Sequence, residues 1–124
     1  MPHFLIVDDD AAVGRTLTRM LELDGHRVTA VQSGESALKC AVADRPDALL
    51  VDIRMPTMSG IDFLRHVRQD TRLRDIPVAL LTGDYFLDDA LLTEIHALGA
   101  TVRYKPLWLE DISALAKTLV GKTA

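Results

Sequence analysis

The chain contains one cysteine, Cys40, in 124 residues. No internal disulfide can form, and a reducing, cytoplasmic setting is the expected one. No apolar run approaches the roughly 20 residues that a bilayer-spanning helix needs, and no signal-peptide pattern opens the sequence. A membrane protein is therefore not expected. Basic residues do not predominate: 14 Lys and Arg stand against 18 Asp and Glu, a formal net charge of −4. That balance argues against direct binding of nucleic acid through its phosphates. Histidines are few, and His3, His26, His66 and His96 are scattered without metal-ligand spacing. Internal repeats, low-complexity tracts and linkers are also missing. Residues 1–124 are expected to form a single domain.

What is present is enough for one core, since 48% of the residues are hydrophobic. The most informative stretch is Ala48-Leu49-Leu50-Val51-Asp52. Four apolar residues in a row, without alternation, suit a strand buried on both faces of a parallel sheet. A carboxylate inside an apolar layer is costly unless paired or bound to a metal. Asp52 is therefore expected at the carboxyl edge of the sheet, where open α/β sheets place their chemistry. Taken alone, Asp52 could equally cap a turn; the remainder of the chain decides.

Strand and helix patterns alternate along the chain. His3 to Val7 is a short apolar run ending in Asp8-Asp9-Asp10. Val13, Leu17, Met20 and Leu21 follow at helical spacing, with Asp10 as the expected N-cap and Gly25 as the closing glycine. A strand is expected over Arg27 to Val31. Ser33 then caps a helix whose apolar stripe should be Leu38, Ala41 and Val42. After the Asp52 strand and Gly60, the residues Ile61, Leu64 and Val67 mark a third helix, with Arg65, Arg68, Arg72 and Arg74 forming a solvated basic face. Val78 to Leu81 is another continuous apolar strand, ending in Thr82-Gly83-Asp84. Leu91, Leu92, Ile95 and Leu98 line a fourth helix, and Thr101 to Tyr104 form a fifth strand closed by Lys105-Pro106. Ile112, Leu115, Ala116 and Leu119 line the last helix. The fold class is α/β, a (βα)5 doubly wound parallel sheet with right-handed crossovers.

In such a sheet all strand ends lie along one edge. Asp8, Asp9 and Asp52 would converge there with the Thr82 hydroxyl and the Lys105 ammonium. Crowded carboxylates repel, and some would be driven to protonate without compensation. A hard divalent cation removes the conflict, and Mg²⁺ suits a site with few protein carboxylates and several retained waters.

These residues, in this order and placement, resemble the receiver domains of two-component response regulators. The motifs are Asp8-Asp9, Asp52 followed by Met55-Pro56 and Gly60, Thr82-Gly83, and Lys105-Pro106. The resemblance runs from about Phe4 to Leu119 and implies a flavodoxin-like, CheY-like sheet of order 2-1-3-4-5, with no output domain in this sequence. It implies that Asp52 is the phosphoacceptor, receiving a phosphoryl group from the phosphohistidine of a sensor histidine kinase or phosphotransfer protein. Mg²⁺ would be held by Asp8, Asp9, Asp52 and the backbone carbonyl of Arg54. Thr82 and Lys105 would contact the phosphoryl oxygens, and a cis peptide before Pro106 would aim the lysine. The role implied is that of a signalling phosphoacceptor, catalysing only its own phosphorylation and dephosphorylation. Output would pass through the surface of the fourth helix, fifth strand and fifth helix, which the family uses for homodimerisation or for an output partner.

Three positions depart from the pattern or tune it. Val102 stands where the family has an aromatic switch residue, and Tyr104, on the same face two residues on, is either a partial substitute or a packing residue. Trp108 is either an exposed contact residue or a cover for the fifth strand. Arg54 and Asp84 follow Asp52 and Thr82 by two residues each, and either pair across the mouth to tune phosphoryl lifetime or stand solvated. Two rival readings remain: a phosphorylation-independent adaptor with a vestigial acidic site, and a flavodoxin-like nucleotide or flavin binder. Against the second, Asp8-Asp9-Asp10 would repel a phosphate where such a binder needs a phosphate loop.

Overall fold

The computed structural model describes residues 1–84 and 87–121. Ten elements alternate: β1 (His3–Val7), α1 (Ala11–Leu23), β2 (Arg27–Val31), α2 (Gly34–Ala43), β3 (Ala48–Asp52), α3 (Gly60–Gln69), β4 (Val78–Thr82), α4 (Asp89–Ala97), β5 (Thr101–Tyr104) and α5 (Leu109–Gly121). The strands form one parallel sheet in the order β2-β1-β3-β4-β5. This is the topology expected from the sequence. Every residue of β1, β3 and β4 is buried, whereas the edge strands β2 and β5 are partly open. The unalternating runs thus belong to strands covered on both faces.

Side-chain alternation divides the core into two layers. Leu5, Val7, Leu49, Val51, Val78 and Leu80 face α2, α3 and α4, packing on Ala37, Ala41, Phe63, Leu64 and Ile95. Phe4, Ile6, Leu50, Ala79 and Leu81 face α1 and α5, packing on Leu17, Leu21, Ile112 and Leu119. Asp10 caps α1 by accepting from the amides of Ala12 at 2.9 Å and Val13 at 3.4 Å. Ser33 caps α2 through the Ser36 amide at 3.1 Å. Gly25, at φ 84°, and Gly99, at φ 72°, close α1 and α4 in the left-handed region that glycine enters freely.

Three expectations need correction. The buried row of α2 is Ala37 and Ala41; Val42 is 42% exposed and Leu38 only half-buried. Two small residues four apart let α2 lie close to the sheet, which turns Val42 outward. On α4 only Ile95 is buried, with Leu91, Leu92 and Leu98 partly covered.

Of the four arginines around α3, Arg65, Arg72 and Arg74 are exposed as expected, but Arg65 and Arg72 are paired with carboxylates and Arg68 does not belong to a solvated face. Arg65 donates to both carboxylate oxygens of Glu94, at 2.6 and 2.7 Å, and to Asp62 at 2.9 Å. Arg72 pairs with Asp70 at 2.9 Å. Arg68 is drawn inward and donates to the carbonyls of Leu98 at 2.6 Å, Arg74 at 3.0 Å and Ile76 at 2.7 Å. Carbonyls at a helix end and in a tight loop lack regular partners, and one planar guanidinium supplies all three. Trp108 is exposed. Among the described residues, no helix is long and apolar enough to cross a membrane.

Candidate functional site

Each site residue stands at a strand end held by the sheet's own hydrogen bonds. The amide of Asp8 donates to Val31 at 3.1 Å, extending the ladder one step beyond β1. Asp52 is the last residue of β3, level with Leu81, and the next amide, Ile53, donates to Leu81 at 2.9 Å. Thr82 ends β4, and its carbonyl accepts from the Lys105 amide at 2.8 Å. The Lys105–Pro106 peptide is cis. The backbone therefore fixes four strand ends side by side before any side chain is considered.

The side chains converge. Lys105 Nζ lies 3.0 Å from Asp8 Oδ2 and 3.1 Å from Asp52 Oδ1. Asp8 is 3% exposed and Asp52 9%, whereas Asp9 faces solvent. The other Asp8 oxygen accepts from the Asp10 amide at 2.9 Å. Asp8, Asp9 and Asp52 each present a carboxylate oxygen, all within 4.8 Å of one another. Burial pushes the Asp52 carboxyl above its ordinary pKa; Lys105 pulls it back, while the negative charges of Asp8 and Asp9 add to the rise. Burial alone would depress the Lys105 ammonium, but its bonds to Asp8 and Asp52 outweigh this and hold its pKa above the ordinary value.

One lysine thus faces three carboxylates, a formal imbalance of −2. The donor set is all oxygen and hard, which suits Mg²⁺ better than a soft metal. The carboxylates lie close enough together to share one ion. On these grounds the residues fit a divalent cation.

Thr82 is 1% exposed, and its Oγ1 accepts from the Asp84 amide at 3.0 Å. Asp84 forms an ion pair with Arg54 across the two loops. The pair is largely solvated on the Arg54 side, so its contribution to stability is about 0–1 kcal/mol. Register places Val102 beside Leu80, and Tyr104, rather than Val102, beside Thr82. Val102 packs against the core layer that carries Leu80. The loop expected to respond, Gly83 to Leu87, includes residues 85 and 86, which lie outside the described residues.

Two features of the loop after β3 are invisible to periodicity. Gly60 donates to the Ile53 carbonyl at 2.8 Å, and its α-carbon lies so close to β3 that a Cβ there would sit 2.4 Å from the Asp52 carbonyl oxygen. Only glycine allows that approach. Thr57 has φ 70°, and the Met58 amide reaches back to Pro56 O at 2.8 Å. This is a tight turn centred on a β-branched residue in the left-handed region, a strain of about 1–3 kcal/mol.

A family profile described as the response regulator receiver domain matches residues 4–112. Response regulator MprA of Mycolicibacterium vanbaalenii is 34% identical over 124 residues, covering 98% of this chain and 51% of MprA. Transcriptional regulatory protein PrrA of Mycobacterium tuberculosis is 34% identical over 126 residues, covering 99% of this chain and 53% of PrrA. The chain thus spans about half the length of these relatives. Among solved structures, chemotaxis protein CheY4 of Vibrio cholerae superposes with TM-score 0.88 at 28% identity, covering 96% of this chain and 98% of CheY4. The N-terminal domain of a response regulator receiver protein from Methanoculleus marisnigri gives TM-score 0.80 at 29% identity, covering 97% of both chains.

Proposed function

The chain belongs to the response regulator receiver domains, and on that premise we propose that Asp52 accepts a phosphoryl group from a histidine kinase or phosphotransfer protein. The observation that carries this reading is the convergence of Lys105 Nζ on Asp8 and Asp52, with all three carboxylates gathered around the same point.

A carboxylate oxygen of Asp52 attacks phosphorus, the P–N bond to the donor imidazole breaks, and a P–O bond forms. Phosphoryl transfer needs an in-line nucleophile and fixed positive charge more than covalent assistance. Asp52 supplies the nucleophile from a rigid strand end. Lys105, now bonded to Asp8 and Asp52, turns its ammonium to the incoming phosphoryl oxygens. The buried Thr82 hydroxyl donates to another of them, in exchange for its present contact with the Asp84 amide. Asp8, Asp9, Asp52 and the Arg54 carbonyl would hold Mg²⁺. Bound there, that ion neutralises the crowded carboxylates and the charge on the transferred group. Beside Lys105, a groove of about 320 Å³ lined by Val13, Thr16, Leu81 and Leu107 leaves room for the donor's approach.

Phosphorylation adds negative charge and acceptor oxygens at the edge of the sheet. Thr82 and the following loop pass this to α4, β5 and α5, the surface assigned to homodimerisation or an output partner. Val102 is short and β-branched, so it cannot sweep between buried and exposed positions. Tyr104, level with Thr82, is a packing neighbour in this scheme, and the loop is the moving part. The Arg54–Asp84 pair, which joins the loops after β3 and β4, slows in this reading the water that would hydrolyse the acyl phosphate. Residues 1–124 act in this reading as one cytoplasmic receiver domain.

The test is to incubate the protein with acetyl phosphate and Mg²⁺ and weigh it intact. One hydroxylamine-labile phosphoryl group is expected on the wild type and none on Asp52→Asn. An unchanged wild-type mass would favour an adaptor with a vestigial site and refute the proposal.

A further inference from the structure

On the far side of the sheet from β5, strand β2 forms an open edge. The Arg27 amide donates to Pro2 O, and Val31 O accepts from Asp8, so these alternate residues turn their backbone groups inward to β1. Alternation turns Val28 and Ala30 the other way, and no strand lies beyond them. Between this edge and α1 runs a groove of about 390 Å³, lined by Gly14, Arg15, Thr18, Arg19, Ala30 and Gln32.

Three observations bear on what fits there. Arg15 and Arg19 are exposed. Arg27, Arg54, Arg65 and Arg72 each pair with a carboxylate, but Arg15 and Arg19 pair with none among the described residues. Arg45, Arg74 and Arg103 also have no carboxylate partner among the described residues, but Arg15 and Arg19 are the two such guanidiniums that line one groove beside an open strand edge. In a chain of net charge −4, that places a concentrated positive charge there for an acidic occupant. Gly14 forms the groove floor, and packing does not require glycine there, because an added Cβ would meet Ala30 Cβ at an ordinary 3.8 Å. Glycine is a poor residue inside a helix, and its presence keeps the groove deep. Finally, the spacings agree. Residues four apart on a helix rise about 6 Å, and residues two apart on a strand are about 6.6 Å apart on one face.

We propose that the open edge of β2, with Arg15 and Arg19 above it, binds an extended segment of a partner protein that carries carboxylates on alternate residues. The segment adds as a sixth strand, taking its backbone hydrogen bonds from Val28 and Ala30. Its alternate side chains reach the two guanidiniums, which suit bidentate carboxylate contacts. The site lies on the opposite side of α1 from the groove beside Lys105, so occupation need not obstruct Asp52.

The probe is a synthetic peptide of alternating glutamate and threonine, titrated into isotope-labelled protein and followed by amide NMR. The expected shifts centre on Val28 to Gln32 and Gly14 to Arg19. Replacing glutamate by glutamine, or making Arg15→Glu with Arg19→Glu, should weaken binding by roughly tenfold. Ala30→Pro removes the outward amide without changing charge and is tolerated at a sheet edge. It should weaken binding too, while labelling by acetyl phosphate stays as in the wild type. Shifts located elsewhere, unchanged affinity in the doubly reversed variant, or equal affinity for inorganic tripolyphosphate, which has charge but no backbone, would each overturn the proposal.

Discussion

Adding one methyl group at Gly60 should damage both stability and phosphorylation, and the structure sets the size of the effect. In Gly60→Ala the new Cβ would lie 2.4 Å from the Asp52 carbonyl oxygen, 2.8 Å from the Ile53 α-carbon and 3.0 Å from the Asp52 carbonyl carbon. All three are backbone atoms of the central strand or its continuation, so no flexible side chain can give way. Restoring even a tight contact of about 3.2 Å requires the chain to move by about 0.8 Å. That movement also stretches the Gly60 amide bond to Ile53 O, now 2.8 Å. Overpacking of about 1–3 kcal/mol and a hydrogen bond of about 1 kcal/mol give a loss of roughly 2–4 kcal/mol. For a domain of this size the melting temperature should fall by roughly 10 °C. Because Asp52 itself is displaced, labelling by acetyl phosphate in the surviving folded protein should slow by about 100-fold. Gly34→Ala is the control. The three atoms nearest its Cβ all belong to the Met58 side chain, Sδ at 2.6 Å being the closest, and that flexible thioether can move aside, so a loss below about 1 kcal/mol is expected. Melting curves and intact-mass time courses measure both effects. A Gly60→Ala protein that melts and labels like the wild type, or a Gly34→Ala protein equally impaired, would refute the reasoning.

Arg68→Met should lower stability by about 2–3 kcal/mol in chemical denaturation, because three carbonyls lose a charged donor while the apolar stem is kept; Arg68→Lys should recover only part, since an ammonium cannot reproduce the planar fork. Asp9→Ala should weaken Mg²⁺ binding far more than Asp10→Ala, whose side chain is already engaged in capping α1; equal effects by calorimetric titration would misplace the metal site. Arg54→Ala and Asp84→Ala should each speed loss of the phosphoryl group, and the double variant should fall short of the summed effects. Wild-type rates in all three would remove the gating role assigned to that pair.

Much of the fold is legible in the sequence because burial on both faces erases alternation. Runs such as Ala48 to Val51 and Val78 to Leu81 suit central strands, being too short for helices, and a carboxylate or hydroxyl ending each run marks the edge where solvent begins. Asp8, Asp52 and Lys105 meet, with Thr82 at the neighbouring strand end, because a parallel sheet puts every strand end on one side. What escaped depends on distances that no periodicity encodes. Arg68 has the spacing of a surface residue and yet turns inward, since the carbonyls it satisfies come from two separate segments, the end of α4 and the loop before β4. Val42 sits at the margin of an apolar stripe and was displaced from the core by the smaller Ala37 and Ala41. Gly60 is visible as a loop residue, but its reason for being glycine lies in the approach of α3 to the backbone of Asp52. Which side chain stands level with Thr82 is likewise a matter of register: Tyr104 holds that place, while Val102, at the position of the family's switch residue, lies beside Leu80.

The central claim is that Asp52, and no other carboxylate of the acidic cluster, carries the phosphoryl group. An acyl phosphate is reduced by borohydride to the corresponding alcohol, which converts a phosphorylated aspartate into homoserine. After acetyl phosphate, Mg²⁺ and borohydride, peptide sequencing by mass spectrometry should find homoserine at position 52 alone. Homoserine at Asp8, Asp9 or Asp10 would contradict the account, as would its absence from the whole chain.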